Sequence, residues 1–337
     1  SLYTILTVVG IFIFYSFVMA IKYINLIDFD LKFFSLITFG LLSDSIFKIM
    51  LSYFQAHKKV SKYKTATILM NNVRWFLGFY LIYFLSFGYE GLIIAFILGE
   101  IISVLLLLPK MFLWSRKLLN KVKFSKLKVY IKYGVPLMGY GLITYFKPLL
   151  INEWIKINEG ENIIGLFNAN FIFGLNVIGL LTTPFLLFMQ PIMVENFSKN
   201  KSLFFKSLST FLKMFITSSN LLFLMYVFFQ EDIINLVIGS DFRSGSSLIL
   251  FGIFSAILNG FILILIKPYE MERTTKAIFK MNVINFVVFC LLGYFFYEHI
   301  GMVGIAQSYI LSNLITVFFL FIIFINKIDF NIKFIFE

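Results

Sequence analysis

The chain alternates long apolar runs with short polar stretches. The runs fall at approximately 2–21, 34–54, 66–87, 91–113, 133–151, 163–187, 208–229, 247–267, 279–297 and 302–325. Each is close to the ~20 residues a helix needs to cross a hydrocarbon core, and each is bounded by charge. Lipid leaves backbone N–H and C=O groups unsatisfied, so every run is expected to close its own hydrogen bonds as a helix. The polar stretches alternate in character. Lys58, Lys59, Lys62 and Lys64 mark 55–65, and eight basic residues without an acid mark 110–132. Lys199, Lys201 and Lys206, then Lys267, Arg273, Lys276 and Lys280, then Lys327 and Lys333, mark the later connections on that side and the tail. The intervening stretches 88–90, 152–162, 230–243 and 298–301 are poor in base or acidic. Basic loops stay in the cytoplasm, so the pattern predicts ten spans with both ends of the chain cytoplasmic.

Composition agrees with lipid as the main solvent. Hydrophobic residues make up 60% of the 337, and charged residues 14%, against about 25% in soluble domains. The formal net charge of +12 would suggest nucleic acid in a soluble protein. Here the lysines lie between apolar runs, facing anionic headgroups, and no nucleic-acid partner is expected. Cys290 is the single cysteine, so no internal disulfide forms, and no metal spacing or cofactor motif exists. Trp114 and Trp154 lie at run ends, where indoles anchor in the headgroup layer. The basic connection 110–132 reads as a solvated linker on the headgroups or as a docking surface for a partner enzyme.

An internal repeat emerges at an offset of 213. GLIIAFILGEIISV (Gly91–Val104) lines up with GIAQSYILSNLITV (Gly304–Val317), and the preceding hairpin keeps the register, with Asn72 on Asn285 and Phe76 on Phe289. The matched helices have the same orientation, which makes the repeat parallel about an axis along the membrane normal. The domains expected are 1–129, a partial bundle of four helices with its basic linker, and 130–337, a bundle of six. Extending the offset backwards leaves about 80 residues, two helices by the span rule, to be expected before Ser1.

Charge at bilayer depth is costly and by default marks a cavity or pathway. Glu100 lies near the middle of its run, and Arg74 lies in the first half of 66–87. Asp44 and Lys48 share a helical face at i and i+4. Lys147 precedes Pro148, and Lys213 lies inside 208–229. Lys48, Lys147 and Lys213 are near enough to run ends to snorkel to the headgroups. Arg74 and Glu100 sit on consecutive helices and could pair. Pro136, with Gly134, Gly139 and Gly141, is either a bending element, with Pro136 and Gly139 as its hinge, or a helix start, since proline is favoured in a first turn.

Three stretches resemble polysaccharide flippases of the O-antigen (Wzx-like) type, in the superfamily that includes MATE multidrug exporters and the lipid II flippase. They are LSYFQAHKKVSKYKTATILMNNVRWFLGFYLI (Leu51–Ile82), LKVYIKYGVPLMGYGLITYF (Leu127–Phe146) and IIGLFNANFIFG (Ile163–Gly174). The resemblance implies an all-α polytopic membrane protein with a MATE-like two-bundle fold, V-shaped around a polar cavity and lacking the first two of twelve helices. It implies alternating access in a bacterial cytoplasmic membrane, with an undecaprenyl-diphosphate-linked oligosaccharide as cargo. Membrane lipids, a polysaccharide polymerase and other assembly enzymes would be its partners. Under that reading Arg74, Lys48, Lys147 and Asn71 would meet the diphosphate, and Glu100 and Asp44 would bind a driving proton or Na⁺. The rivals are a cation-coupled multidrug exporter on the same fold and a membrane enzyme of polysaccharide assembly. The second lacks a sizeable outer loop and any assembled nucleophile, so no catalytic residue and no enzyme is expected.

Overall fold

The computed structural model describes residues 31–57, 59–107 and 127–327. The run 2–21, residues 108–126 of the basic connection with Trp114, and the tail from 328 lie outside the described residues. The other nine expected spans all correspond to helices: α1 (Leu31–Ala56), α2 (Val60–Tyr83), α3 (Gly88–Leu107), α4 (Leu127–Glu159), α5 (Glu161–Lys199), α6 (Lys201–Phe228), α8 (Ser247–Leu265), α10 (Thr275–Ile300) and α11 (Met302–Lys327). Short helices α7 (Gln230–Val237) and α9 (Lys267–Met271) complete the set. By length and composition, seven of the long helices are apolar enough to cross a membrane. The two outside that set are α2 and α4, which carry Arg74 and Lys147.

Two expected connections are more ordered than their polarity suggested. The stretch 152–162 is not a loop: α4 runs through Glu159 and α5 starts at Glu161, with only Gly160, at φ 92°, between them. Glycine accepts that left-handed conformation at no steric cost. The stretch 230–243 folds as α7 followed by a 3₁₀ turn at Ser240–Gly245. A polar run marks where the hydrocarbon ends, not where the helix ends.

The chain divides into two compact units, residues 1–124 and 125–337. In the first unit α3 packs against both α1 and α2. Phe47, Met50, Phe54, Ala66 and Val104 form its core. A Cβ on Gly99 would lie 2.8 Å from the Met70 carbonyl oxygen, and one on Gly78 would meet Leu92 and Ala95. Lipid gives helices no hydrophobic reason to associate, so small residues that let backbones touch supply the packing.

In the second unit α8 lies against α5 and α11, and α10 lies between α4 and α11. At the α5–α8 crossing Gly174 and Gly252 face each other, and a Cβ on either would run into a carbonyl oxygen of the other helix. Inside α5, residues Asn168–Ile172 form a π turn, and buried Asn170 donates to the carbonyls of Leu166 and Phe242. The outward surface carries large apolar side chains such as Leu180, Phe228 and Leu291, each more than two-thirds exposed, as lipid contact requires.

The two units repeat one helix pattern. A shift of 213 carries α1 onto α8, α2 onto α10 and α3 onto α11, with the starts of α2 and α3 agreeing with those of α10 and α11 to within two residues. The neighbours correspond as well: α11 packs against α8 and α10 as α3 packs against α1 and α2.

Candidate functional site

In the first unit the close approach at Gly99 turns the next residue toward α1. One residue rotates about 100° around a helix, so Glu100 leaves the α2 contact and meets Ser43. Glu100 is 1% exposed. Ser43 Oγ donates to Glu100 Oε2, or to the Gly40 carbonyl 2.9 Å away, since one hydroxyl carries one hydrogen. Glu100 Oε1 makes no hydrogen bond among the described residues. Asp44 and Lys48, the next charges on α1, act on Glu100 electrostatically. They pair with each other at 2.7 Å, as their spacing predicts, with Lys48 toward the outside.

Arg74 and Glu100 make no direct ion pair among the described residues. The reason is again Gly99: at that level the α2 and α3 backbones touch, and the two side chains leave the contact in different directions. The Arg74 guanidinium lies over the Phe96 ring, 4.5 Å from its centroid, with Trp75 at 5.6 Å. Such a contact stabilises a cation without neutralising it. Asn71, one turn before Arg74, is half-buried.

Lys147 in the second unit does not snorkel. It is 5% exposed, and its Nζ points inward, donating to Asn285 Oδ1 at 2.9 Å and Ser312 Oγ at 3.4 Å. The rings of Tyr309 and Phe289 flank it, with centroids 4.0 and 4.5 Å away. Asn285 is held in turn: its Nδ2 donates to the Ser312 carbonyl at 2.8 Å, Thr316 Oγ1 at 2.8 Å and Asn313 Oδ1 at 3.1 Å. Asn313 Nδ2 reaches the Ser255 carbonyl on α8 at 3.4 Å. No carboxylate pairs with Lys147 among the described residues. Lys213, by contrast, is exposed, in keeping with a snorkelling side chain.

One contact of the network around Lys147, that of Asn313 with Ser255, matches the contact of Glu100 with Ser43. Asn313 is the repeat partner of Glu100, and both run from the hairpin's second helix to the helix before the hairpin. Asn285, Ser312 and Thr316 carry no charge, so nothing in the sequence singles them out as site residues, although the repeat register contains them all. The missing signal is one that turns Lys147 toward them.

Pro136 is not a helix start. It lies ten residues into α4, a helix that also contains Pro148. Proline has no N–H, so the Lys132 carbonyl loses its helical partner. Beside it α10 holds α4 with side chains: Thr275 Oγ1 donates to the Tyr133 carbonyl at 2.9 Å, and Asn282 Nδ2 to the Tyr140 carbonyl at 2.9 Å. Phe279 rests on Gly139, where a Cβ would lie 2.5 Å from the ring.

Solved structures share this architecture. A MATE transporter in complex with MaL6 superimposes with a TM-score of 0.79 at 14% identity, over 95% of this chain and 76% of that one. A mutant of the Vibrio cholerae MATE transporter VcmN gives 0.77 at 12% identity, over 99% and 79%. An outward-facing multidrug resistance MATE transporter of the MOP superfamily gives 0.67 at 13%, over 85% and 67%. No protein-family model matches the chain, and no curated protein sequence does. The molecule is thus a multi-pass, all-helical membrane protein. Its fold is that of the MATE transporters.

Proposed function

We propose that this chain is a membrane transporter that flips an undecaprenyl-diphosphate-linked oligosaccharide across the bacterial cytoplasmic membrane by alternating access. The observation that carries the reading is Lys147: a buried ammonium whose partners among the described residues are all neutral. A buried charge without a counter-ion costs several kcal/mol, and an anionic cargo supplies the missing partner. A lipid diphosphate must shed water to cross hydrocarbon, and cationic side chains offset that loss. Lys147 is the proposed contact in the second unit, and Arg74 and Asn71 are the proposed contacts in the first. Lys48, exposed and paired with Asp44, contributes long-range attraction. Glu100, buried with one oxygen unpartnered, is the coupling group for a proton or Na⁺, with Asp44 beside it. Pro136 and Gly139 are the proposed hinge of α4.

A cation-coupled multidrug exporter on the same fold is the second reading, favoured by the buried Glu100 with Asp44 beside it. The two separate in a host lacking its own flippase. The proposed function predicts that expression of the protein that carries this chain restores export of a defined lipid-linked oligosaccharide, and that Lys147→Gln abolishes it. Drug resistance without restored export would establish the second reading instead.

A further inference from the structure

The hydrogens around Lys147 can be assigned one by one. Ser312 Oγ donates to the Tyr309 carbonyl at 3.0 Å, so toward Lys147 it acts as an acceptor. Thr316 Oγ1 donates to the Ser312 carbonyl at 2.8 Å, so toward Asn285 it accepts. The two N–H bonds of Asn285 then face three acceptors, and its amide is fixed with Oδ1 toward Nζ. Among the described residues, the hydrogen-bond partners of the ammonium therefore offer lone pairs and the flanking rings their faces, and none carries charge; the Cys290 thiol lies close enough to interact with it. The acids of α4, α10 and α11 are Glu153, Glu159 and Glu298, all toward one end of these helices.

We infer that Asn285 is a specificity-determining residue: as an amide in place of a carboxylate, it holds Lys147 without neutralising it and so reserves the site for anionic lipid headgroups. This deepens the proposed function and rests on it. Aspartate has nearly the same shape as asparagine, so shape does not decide between them. With aspartate at this position the ammonium would have a carboxylate in hydrogen-bonding contact and no net attraction for a diphosphate. The Ser312 carbonyl reinforces the choice, because it faces Nδ2 at 2.8 Å and would repel a carboxylate oxygen. When cargo arrives, the longer contact to Ser312 is the one the flexible lysine gives up first.

The test uses the full chain purified into nanodiscs, with farnesyl diphosphate and farnesol as probes of the same chain length. Wild type is expected to prefer the diphosphate. Asn285→Asp is expected to cut that preference about tenfold or more, the low end of what close charge pairs contribute, through the diphosphate and not the alcohol. Ser312→Asp puts a carboxylate on the same ammonium from a different position, and is expected to do the same if Asn285→Asp does not insert. Exchanging the pair, Lys147→Asn with Asn285→Lys, keeps one cation among the same groups and is expected to recover the preference. A purely structural role for Asn285 would lower both probes together and would leave the exchange inactive; that pattern overturns the inference. Wild type with no preference for the diphosphate overturns the proposed function along with it. A normal wild-type preference that survives both aspartate variants overturns the inference alone.

Discussion

At the scale of single residues, Glu100 and Lys147 are buried charged residues without an ion pair among the described residues, unlike Lys267, which pairs with Glu270, and the two are held in opposite ways. Glu100 keeps one oxygen on Ser43 and leaves the other without a hydrogen bond among the described residues, while Lys147 is enclosed by amide, hydroxyl and rings. Glu100→Gln keeps the shape and the contact to Ser43 but removes the charge. It is expected to leave folding and membrane insertion intact and to lower transport at least about tenfold, measured as lipid-linked sugar export per inserted molecule. Neutralising Lys48, exposed and already paired with Asp44, is expected to change transport less than about threefold in the same assay, as exposed pairs contribute little. Both buried charges were legible in the sequence, because a lone charge amid apolar residues is visible by itself. Their partners were not. A rotation of about 100° per residue decides whether Glu100 meets Arg74 or Ser43, and the close contact at Gly99 sets that rotation. Arg74 consequently rests on Phe96, a contact no spacing rule foretells.

At the scale of helices, the apolar runs located nine spans but not their ends. Hydrocarbon thickness limits the length of the apolar run, while backbone hydrogen bonding continues the helix into polar surroundings. That is why α4 extends to Glu159 and why 230–243 holds α7. Close crossings depend on glycine. Gly174→Leu forces a side chain onto the Ile249 carbonyl, and is expected to cost about 3 kcal/mol or more, read as lowered thermal stability in detergent. Gly179→Ala, with open space around its Cβ, is expected to leave stability unchanged or slightly raised. Pro136→Ala returns a donor to the Lys132 carbonyl, and is expected to raise the stability of the protein by about 1–3 kcal/mol while slowing transport. A faster or unchanged turnover would remove α4 bending from the mechanism.

At the scale of the whole molecule, the offset of 213 turns a weak sequence match into a structural correspondence. Three helices of each unit share their order and their neighbours, because the apolar runs that form them recur at the same offset. The charges are not repeated: Glu100 corresponds to Asn313 and Arg74 to Val287. One architecture thus carries a buried carboxylate in one unit and a neutral amide at the matching position of the other. The predicted orientation has its own test. After Cys290 is replaced, single cysteines at Asn200 and Arg273 should react with an impermeant thiol reagent from the cytoplasmic side only, and those at Gly160 and Gly301 from the outer side only. The most direct test of the central claim is export of a defined undecaprenyl-diphosphate-linked oligosaccharide in a host lacking its own flippase. The account predicts that the protein carrying this chain restores export and that Lys147→Gln, inserted at the same level, does not. Restored export that is indifferent to Lys147, or no export by the correctly inserted protein, would contradict it.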